Sequence, residues 1–149
     1  MSAPELPEKI QSAADVDAWA DYVRERVTPV LDGGFVRDPD WVIYELEKVS
    51  GAAAVMVVVV RDADKVRRAT ARTLAKAKAR EATRLADARV PQVERSARVI
   101  AATEDEADAD AIARASYDYA KAVAGLVDDR MSAVQTIGKQ VLATYSGGA

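Results

Sequence analysis

Seven cations, Arg61, Lys65, Arg68, Arg72, Lys76, Arg80 and Arg84, recur at intervals of four, three, four, four, four and four residues. On a helix turning 100° per residue they stay within one broad sector and extend about 35 Å along the axis. Guanidinium and ammonium groups in such a row neutralise a row of anions. A nucleic-acid backbone is one such row, and binding to it is sequence-independent and weakened by salt. The length roughly matches a turn of duplex DNA. An acidic protein partner offers the same chemistry, and so do this chain's own carboxylates, because exposed charges are commonly paired or solvated. No aromatic residue lies within 65–100 to stack on unpaired bases, which weighs against nucleic acid.

Other chemistries are narrowed by what is absent. The chain has no cysteine and no histidine, which removes zinc sites built on those ligands, thiol nucleophiles, imidazole bases and the Ser-His-Asp arrangement. A hydrolase would have to run on carboxylates or lysine. Carboxylates do cluster, at Asp15/Asp17, Asp62/Asp64, Glu104–Glu106, Asp108/Asp110 and Asp128/Asp129. None sits in a calcium-loop pattern, and helix N-termini or solvated faces account for them. Gly33-Gly34 has no phosphate-loop context. The expectation is a protein without catalytic residues, metal or cofactor.

The cations belong to one element. Residues 65–100 carry 11 basic and 3 acidic side chains, a net +8, whereas residues 1–50 carry −6 and residues 101–149 carry −4. At 149 residues the chain suits a single domain. Its apolar half is mostly Ala and Val, with aromatics at only 5%, a composition for closely approached helices rather than a wide layered core. The 7 glycines and 5 prolines do not recur at the short intervals of an all-β fold.

The expected fold is all-α: an elongated, coiled-coil-like antiparallel hairpin of two long helices, with a short corner helix and a small N-terminal helical cap. Residues 1–37 supply a flexible tail and the capping helix. Ser12 and Asp15 have the layout of a capping box, Val16, Trp19, Ala20 and Val23 form an inner face that Val27 and Val30 extend, and Pro29 kinks or ends the helix. With Phe35 and Trp41, this region should fold over the open end of the hairpin. Residues 38–149 form the hairpin. Asp38-Pro39-Asp40 starts a helix over 38–90, with Asp38 as N-cap and Pro39 at the first position, and Pro91 ends it. Val42, Leu46, Val49, Ala53, Met56, Val60 and Ala63 alternate at four and three residues, the spacing of a coiled-coil seam. A short buried strand over 51–60 competes with helix there, but it has no partner strand and the seam runs through it. A corner helix over 91–102 puts Val93, Ala97 and Ile100 on one side. Thr103 with Glu106 is a second capping box, opening a helix over 103–146 faced by Ile112, Ala115, Tyr119, Val123, Leu126, Val134, Ile137 and Val141. A hairpin turning near Arg95 would set Arg84 near Asp108, Lys76 near Asp118 and Lys65 near Asp128.

Val55, Met56, Val57, Val58, Val59 and Val60 cover the whole circumference of a helix, more than a simple hairpin buries. The N-terminal helix and a second subunit should share them, so these residues are the expected oligomer interface of a homo-oligomer. The run is too short to span a bilayer, and Met1–Ser12 has none of the features of a secretory signal, so a cytoplasmic location is expected.

Three segments carry a resemblance: Ala82-Thr83-Arg84-Leu85-Ala86, Val90-Pro91-Gln92-Val93-Glu94-Arg95-Ser96-Ala97, and Asp129-Arg130-Met131-Ser132-Ala133-Val134-Gln135-Thr136. Through them residues 65–141 resemble small Ala/Arg-rich helical proteins of tailed phages and prophages of Gram-positive hosts, found among early or recombination genes. The Ala/Val/Arg-rich composition suits an actinobacterial host. The resemblance covers about half the chain and implies an accessory role near phage DNA replication or recombination in the host cytoplasm, with no catalytic residue carried over. Two functions follow as expectations. One is a non-enzymatic oligomeric accessory protein that touches single- or double-stranded DNA, or a phage recombination protein, through the basic face. The other is a protein-binding or structural phage component, such as a host-factor binder, with no nucleic-acid contact.

Overall fold

The computed structural model describes residues 5–28 and 37–148, which form four helices: α1 Ala13–Val27, α2 Pro39–Asp87, α3 Gln92–Ala102 and α4 Glu104–Ser146. Val30, Phe35 and the Pro29 and Gly33-Gly34 turn lie outside the described residues. The fold is the expected all-α hairpin. α2 and α4 pack along most of their lengths, α1 packs on both, and the short α3 turns back against the end of α2. At 1.5 Å per residue the 49-residue α2 and 43-residue α4 extend about 74 and 65 Å. Residues 51–60 are helical, so the competing strand does not form.

Of the three helix starts with a side-chain cap expected from the sequence, two form as expected. The Ser12 hydroxyl accepts the Asp15 N–H at 3.3 Å, and Asp15 Oδ2 accepts the N–H groups of Gln11 and Ser12, each at 2.9 Å. The hydrogen bond from Gln11, then those from Ser12, hold the Asp15 carboxyl below the usual range. Asp38 Oδ1 accepts the Trp41 N–H at 2.8 Å, and Pro39 occupies the first turn of α2. The third start differs. Thr103 makes no side-chain cap; its hydroxyl donates back to the Val99 carbonyl at 2.8 Å, and its N–H is shared between the Val99 and Ile100 carbonyls. α3 runs almost directly into α4, so Thr103 completes one helix rather than capping the next.

α2 ends at Asp87, three residues before the expected Val90, in a Schellman motif. The Val90 N–H donates to the Leu85 carbonyl and the Arg89 N–H to the Ala86 carbonyl, each at 3.0 Å. Arg89 takes the left-handed conformation, φ 56°, that this motif usually reserves for glycine. Pro91 then blocks further helix, and Arg95 Nε donates to the Val90 carbonyl at 2.6 Å, tying α3 to the turn. The chain therefore reverses at residues 88–91, not around Arg95. This fixes the register: Thr70 meets Asp110, Glu45 meets Arg130, and Val42 meets Gly138.

The core follows that register. Val42, Val49, Met56 and Ala63 are buried as the seam requires, but the residues interleaved with them are Glu45, Ala52 and Val59, each one position before the expected Leu46, Ala53 and Val60. At Ala52 and Val59 α1 accounts for this, since it shares their buried sector of α2, whereas Glu45 turns in toward Arg130 of α4. Val16, Ala20, Val23 and Val27 join Val49, Ala52, Met56, Val59, Ala63, Ala120, Val123 and Val127 in one three-helix cluster. α1 thus covers one side of the hairpin's middle. The open end holds a separate two-helix cluster, Val42, Val134 and Val141, with Trp41 against it. The expected mobile tail is docked over part of its length: Ile10 packs on the first cluster, and Trp19 Nε1 donates to the Pro7 carbonyl at 3.0 Å.

On α4 the buried face is Asp110, Ala113, Ser116, Ala120, Val123, Val127, Val134, Gly138 and Val141. Ile112, Ala115 and Leu126, expected on that face, are exposed. Small inner residues bring the two backbones together, and shape excludes the larger apolar side chains. On α3, Val93, Ala97 and Ile100 do share one side, and that side is exposed.

Candidate nucleic-acid interface

Beyond the three-helix cluster α2 continues as an arm whose inner edge is set by Thr70, which donates to Asp110 Oδ1 at 3.3 Å. Arg72 lies about 160° around the helix from Thr70, so it points away from α4. Arg61, Lys65, Arg68, Arg72, Lys76, Arg80 and Arg84 are all exposed; the first five lie on the side away from Thr70, and the drift of the row carries Arg80 and Arg84 round toward the inner edge. The pairings expected with Asp108, Asp118 and Asp128 do not form: among the described residues none of these carboxylates lies within ion-pair distance of a cation. The register places Arg84 level with α3 instead, and Lys65 points away from α4.

The partners that do exist are on α2 itself. Asp62 takes Arg61 at 3.1 Å and Lys65 at 3.4 Å, Asp64 takes Arg67 at 2.5 Å and Arg68 at 2.8 Å, and Glu81 takes Arg84 at 2.5 Å. Partial burial opposes ionisation of Asp62, but the hydrogen bonds and charges of Arg61 and Lys65 win and hold its carboxyl below the usual range. The hydrogen bond from Arg67 does the same for Asp64, and that from Arg84 for Glu81. These are local pairs one to four residues apart, of modest energy in water. Arg72, Lys76 and Arg80 have no carboxylate within 4.0 Å among the described residues. They span about 12 Å of helix and are the cations left with full capacity for an external anion.

At its base the stripe borders a groove of about 850 Å³ between α2 and the N-terminal segment. Ile10, Trp19, Val55 and Val58 line it, and Arg61 and Lys65 stand beside them. The six residues expected at an oligomer interface therefore have different fates. Met56 and Val59 are 2% and 1% exposed within the chain's own core, so they are not available to a partner. Val55 and Val60 are half-buried, and Val57 and Val58 are exposed.

The buried polar residues are not among those that the sequence spacing singles out. Glu45 is 6% exposed and receives Lys48 at 2.9 Å and Arg130 at 3.3 Å, while Arg130 Nε is buried without a partner. This group separates the two apolar clusters. Glu45 could have been suspected from its position three residues after Val42 and four before Val49. Asp110, 4% exposed, joins Thr70 to Arg114, which lies 2.9 Å away. Among the described residues no three or more carboxylates are grouped to hold a metal ion, and no helix is long and apolar enough to cross a membrane. Comparison of the chain with protein-family models, with curated proteins and with solved structures found no match.

Proposed function

We propose that this chain is a non-enzymatic accessory protein that binds DNA through the outward face of α2, in the setting of phage recombination or replication to which its resemblance points. One observation carries the reading: Arg72, Lys76 and Arg80 form an exposed row without carboxylate partners on an arm held straight by α4. Arg61, Lys65, Arg68 and Arg84 extend the row, and their pairing with acids of the same helix can be exchanged for phosphate. Aromatic platforms for unpaired bases are absent from residues 65–100, so duplex is the favoured form.

Fluorescence anisotropy with labelled duplex and single strands, between about 50 and about 200 mM salt, tests this directly. Duplex binding should weaken with salt at a log–log slope of about −0.9 per phosphate contacted, and Arg72→Glu with Arg80→Glu should flatten the slope by about two. Absence of binding at about 50 mM salt, or a slope that the double variant leaves unchanged, overturns it.

The groove at the base of the stripe favours a second reading, a binder of a phage or host protein. Its apolar lining, rimmed by Glu8, Lys9, Arg61, Asp62 and Lys65, suits an amphipathic segment of mixed charge, which a phosphate backbone does not resemble. In that case Val58→Glu abolishes capture of the partner while leaving any DNA binding intact.

A further inference from the structure

α1 covers one side of the hairpin, and the other side is bare. On the covered side the Tyr119 hydroxyl donates to Asp21 at 2.5 Å and Arg24 stacks over the Tyr119 ring. Ala124 lies about 140° around α4 from Tyr119, and Val57 about 160° around α2 from Val55, which faces the N-terminal groove. Between Val57 and Ala124 runs a second groove of about 430 Å³, floored by Ala53, Val60 and Ala124. Val57 stands in it 71% exposed.

The bare side has the periodicity of a packing seam. Leu46, Ala53 and Val60 lie seven residues apart on α2, as do Ala124 and Met131 on α4, and all five are half-buried. A seven-residue apolar repeat on two adjacent helices is the pattern that receives further helices. The seam read from the sequence thus splits in two. Val42, Val49, Met56 and Ala63 fill the chain's own core, and Leu46, Ala53 and Val60 pack at its edge, each half-buried.

The charges on this side identify the occupant. Lys121 and Asp128 are exposed, equidistant from the small pair Ala124-Gly125, and on the same stripe of α4. Neither has an ion-pair partner among the described residues; Lys121 rests over the Tyr117 ring, 5.2 Å from its centroid. A side chain added at Gly125 would meet nothing within 4 Å, so the helix is open to close approach there. Arg61, at the groove's edge, is already paired with Asp62. A surface shaped for an acidic or a basic partner carries one sign, whereas this stripe is its own complement when reversed. We propose that the bare side is the interface of an antiparallel homodimer. Its twofold axis passes the Ala124-Gly125 pair, Val57 meets the partner subunit's Val57, and Lys121 meets Asp128 of the partner subunit twice across the axis. The proposal is independent of DNA binding.

The test is sedimentation velocity of the full chain with charge-swapped variants, each checked by circular dichroism for an unchanged helical signal. The wild-type chain should be a dimer and Val57→Glu a monomer. Lys121→Asp and Asp128→Lys should each weaken dimerisation about tenfold or more at low salt, because each places like charges together twice. An equimolar mixture of these two single variants should recover the dimer, since both contacts are then of opposite sign. A monomeric wild type, a dimer that survives Val57→Glu, or a mixture no tighter than its components overturns the proposal.

Discussion

A Cβ built on Gly138 would stand 3.0 Å from the Cγ1 methyl of Val42, closer than ordinary side chains approach. The missing side chain sets the distance between α4 and the start of α2. Gly138→Val should therefore destabilise the fold by about 2 kcal/mol, since inserted methyls in a packed contact force shifts of that cost. Gly51 is the control. An added Cβ there meets nothing within 4 Å, so Gly51→Ala should stabilise by roughly 0.5–1 kcal/mol through helix propensity alone. Urea denaturation of both variants checks the pair.

Arg89 occupies a left-handed turn position at φ 56° with both Schellman hydrogen bonds in place. A side chain with a Cβ is strained in that conformation, so Arg89→Gly should raise stability by about 0.5–1 kcal/mol after glycine's greater unfolded freedom is deducted. Arg89→Pro should prevent the turn, because it removes the N–H that bonds the Ala86 carbonyl. Thermal melts followed by circular dichroism distinguish the two.

Glu45 and Arg130 meet at 3.3 Å between the two apolar clusters, with Arg130 Nε unsatisfied. Removing one partner leaves a poorly solvated charge: Glu45→Ala should cost about 3 kcal/mol. Replacing both, as Glu45→Leu with Arg130→Met, should recover most of that loss and can exceed wild-type stability, because apolar side chains would join the two clusters. A double-mutant cycle by denaturant titration gives the coupling, and a double variant as unstable as Glu45→Ala would contradict this account.

The Tyr119 hydroxyl is pushed up to about 12, first by burial and then by its hydrogen bond to Asp21. A raised pKa means that the folded state holds this proton more tightly than the unfolded chain does. The associated stability is complete below the ordinary tyrosine value and is lost as pH climbs from there through about 12. Wild-type stability should fall across that window more steeply than that of Tyr119→Phe, which lacks the group. An ultraviolet titration of tyrosinate in both proteins measures the shift itself.

Much of the fold was legible along the chain because helices and their ends are local. Ser12 with Asp15, Asp38 before Pro39, and the stop at Pro91 each act over three or four residues, and each is found where the spacing places it, within the small slip of the α2 end. Thr103 departs from its expected capping role for an equally local reason: its hydroxyl has a carbonyl behind it at Val99 as well as N–H groups ahead, and spacing does not choose between them. The cationic row was visible as a row, but its neighbours were not. Placing the turn at residues 88–91 instead of around Arg95 shifts every cross-helix pair and removes Asp108, Asp118 and Asp128 from the stripe.

By itself, the sequence determined four helices, their order, an antiparallel hairpin and a face of seven cations. The tertiary structure decided which apolar residues are core and which are surface. Val57 and Val59 are the same residue type two positions apart, yet one is 71% exposed and the other 1%. Amphipathic spacing defines a direction on a helix only to within a residue. The direction finally buried depends on where α1 lies and how closely Ala120, Ser116 and Gly138 let α4 approach, and these are contacts between residues remote in the chain.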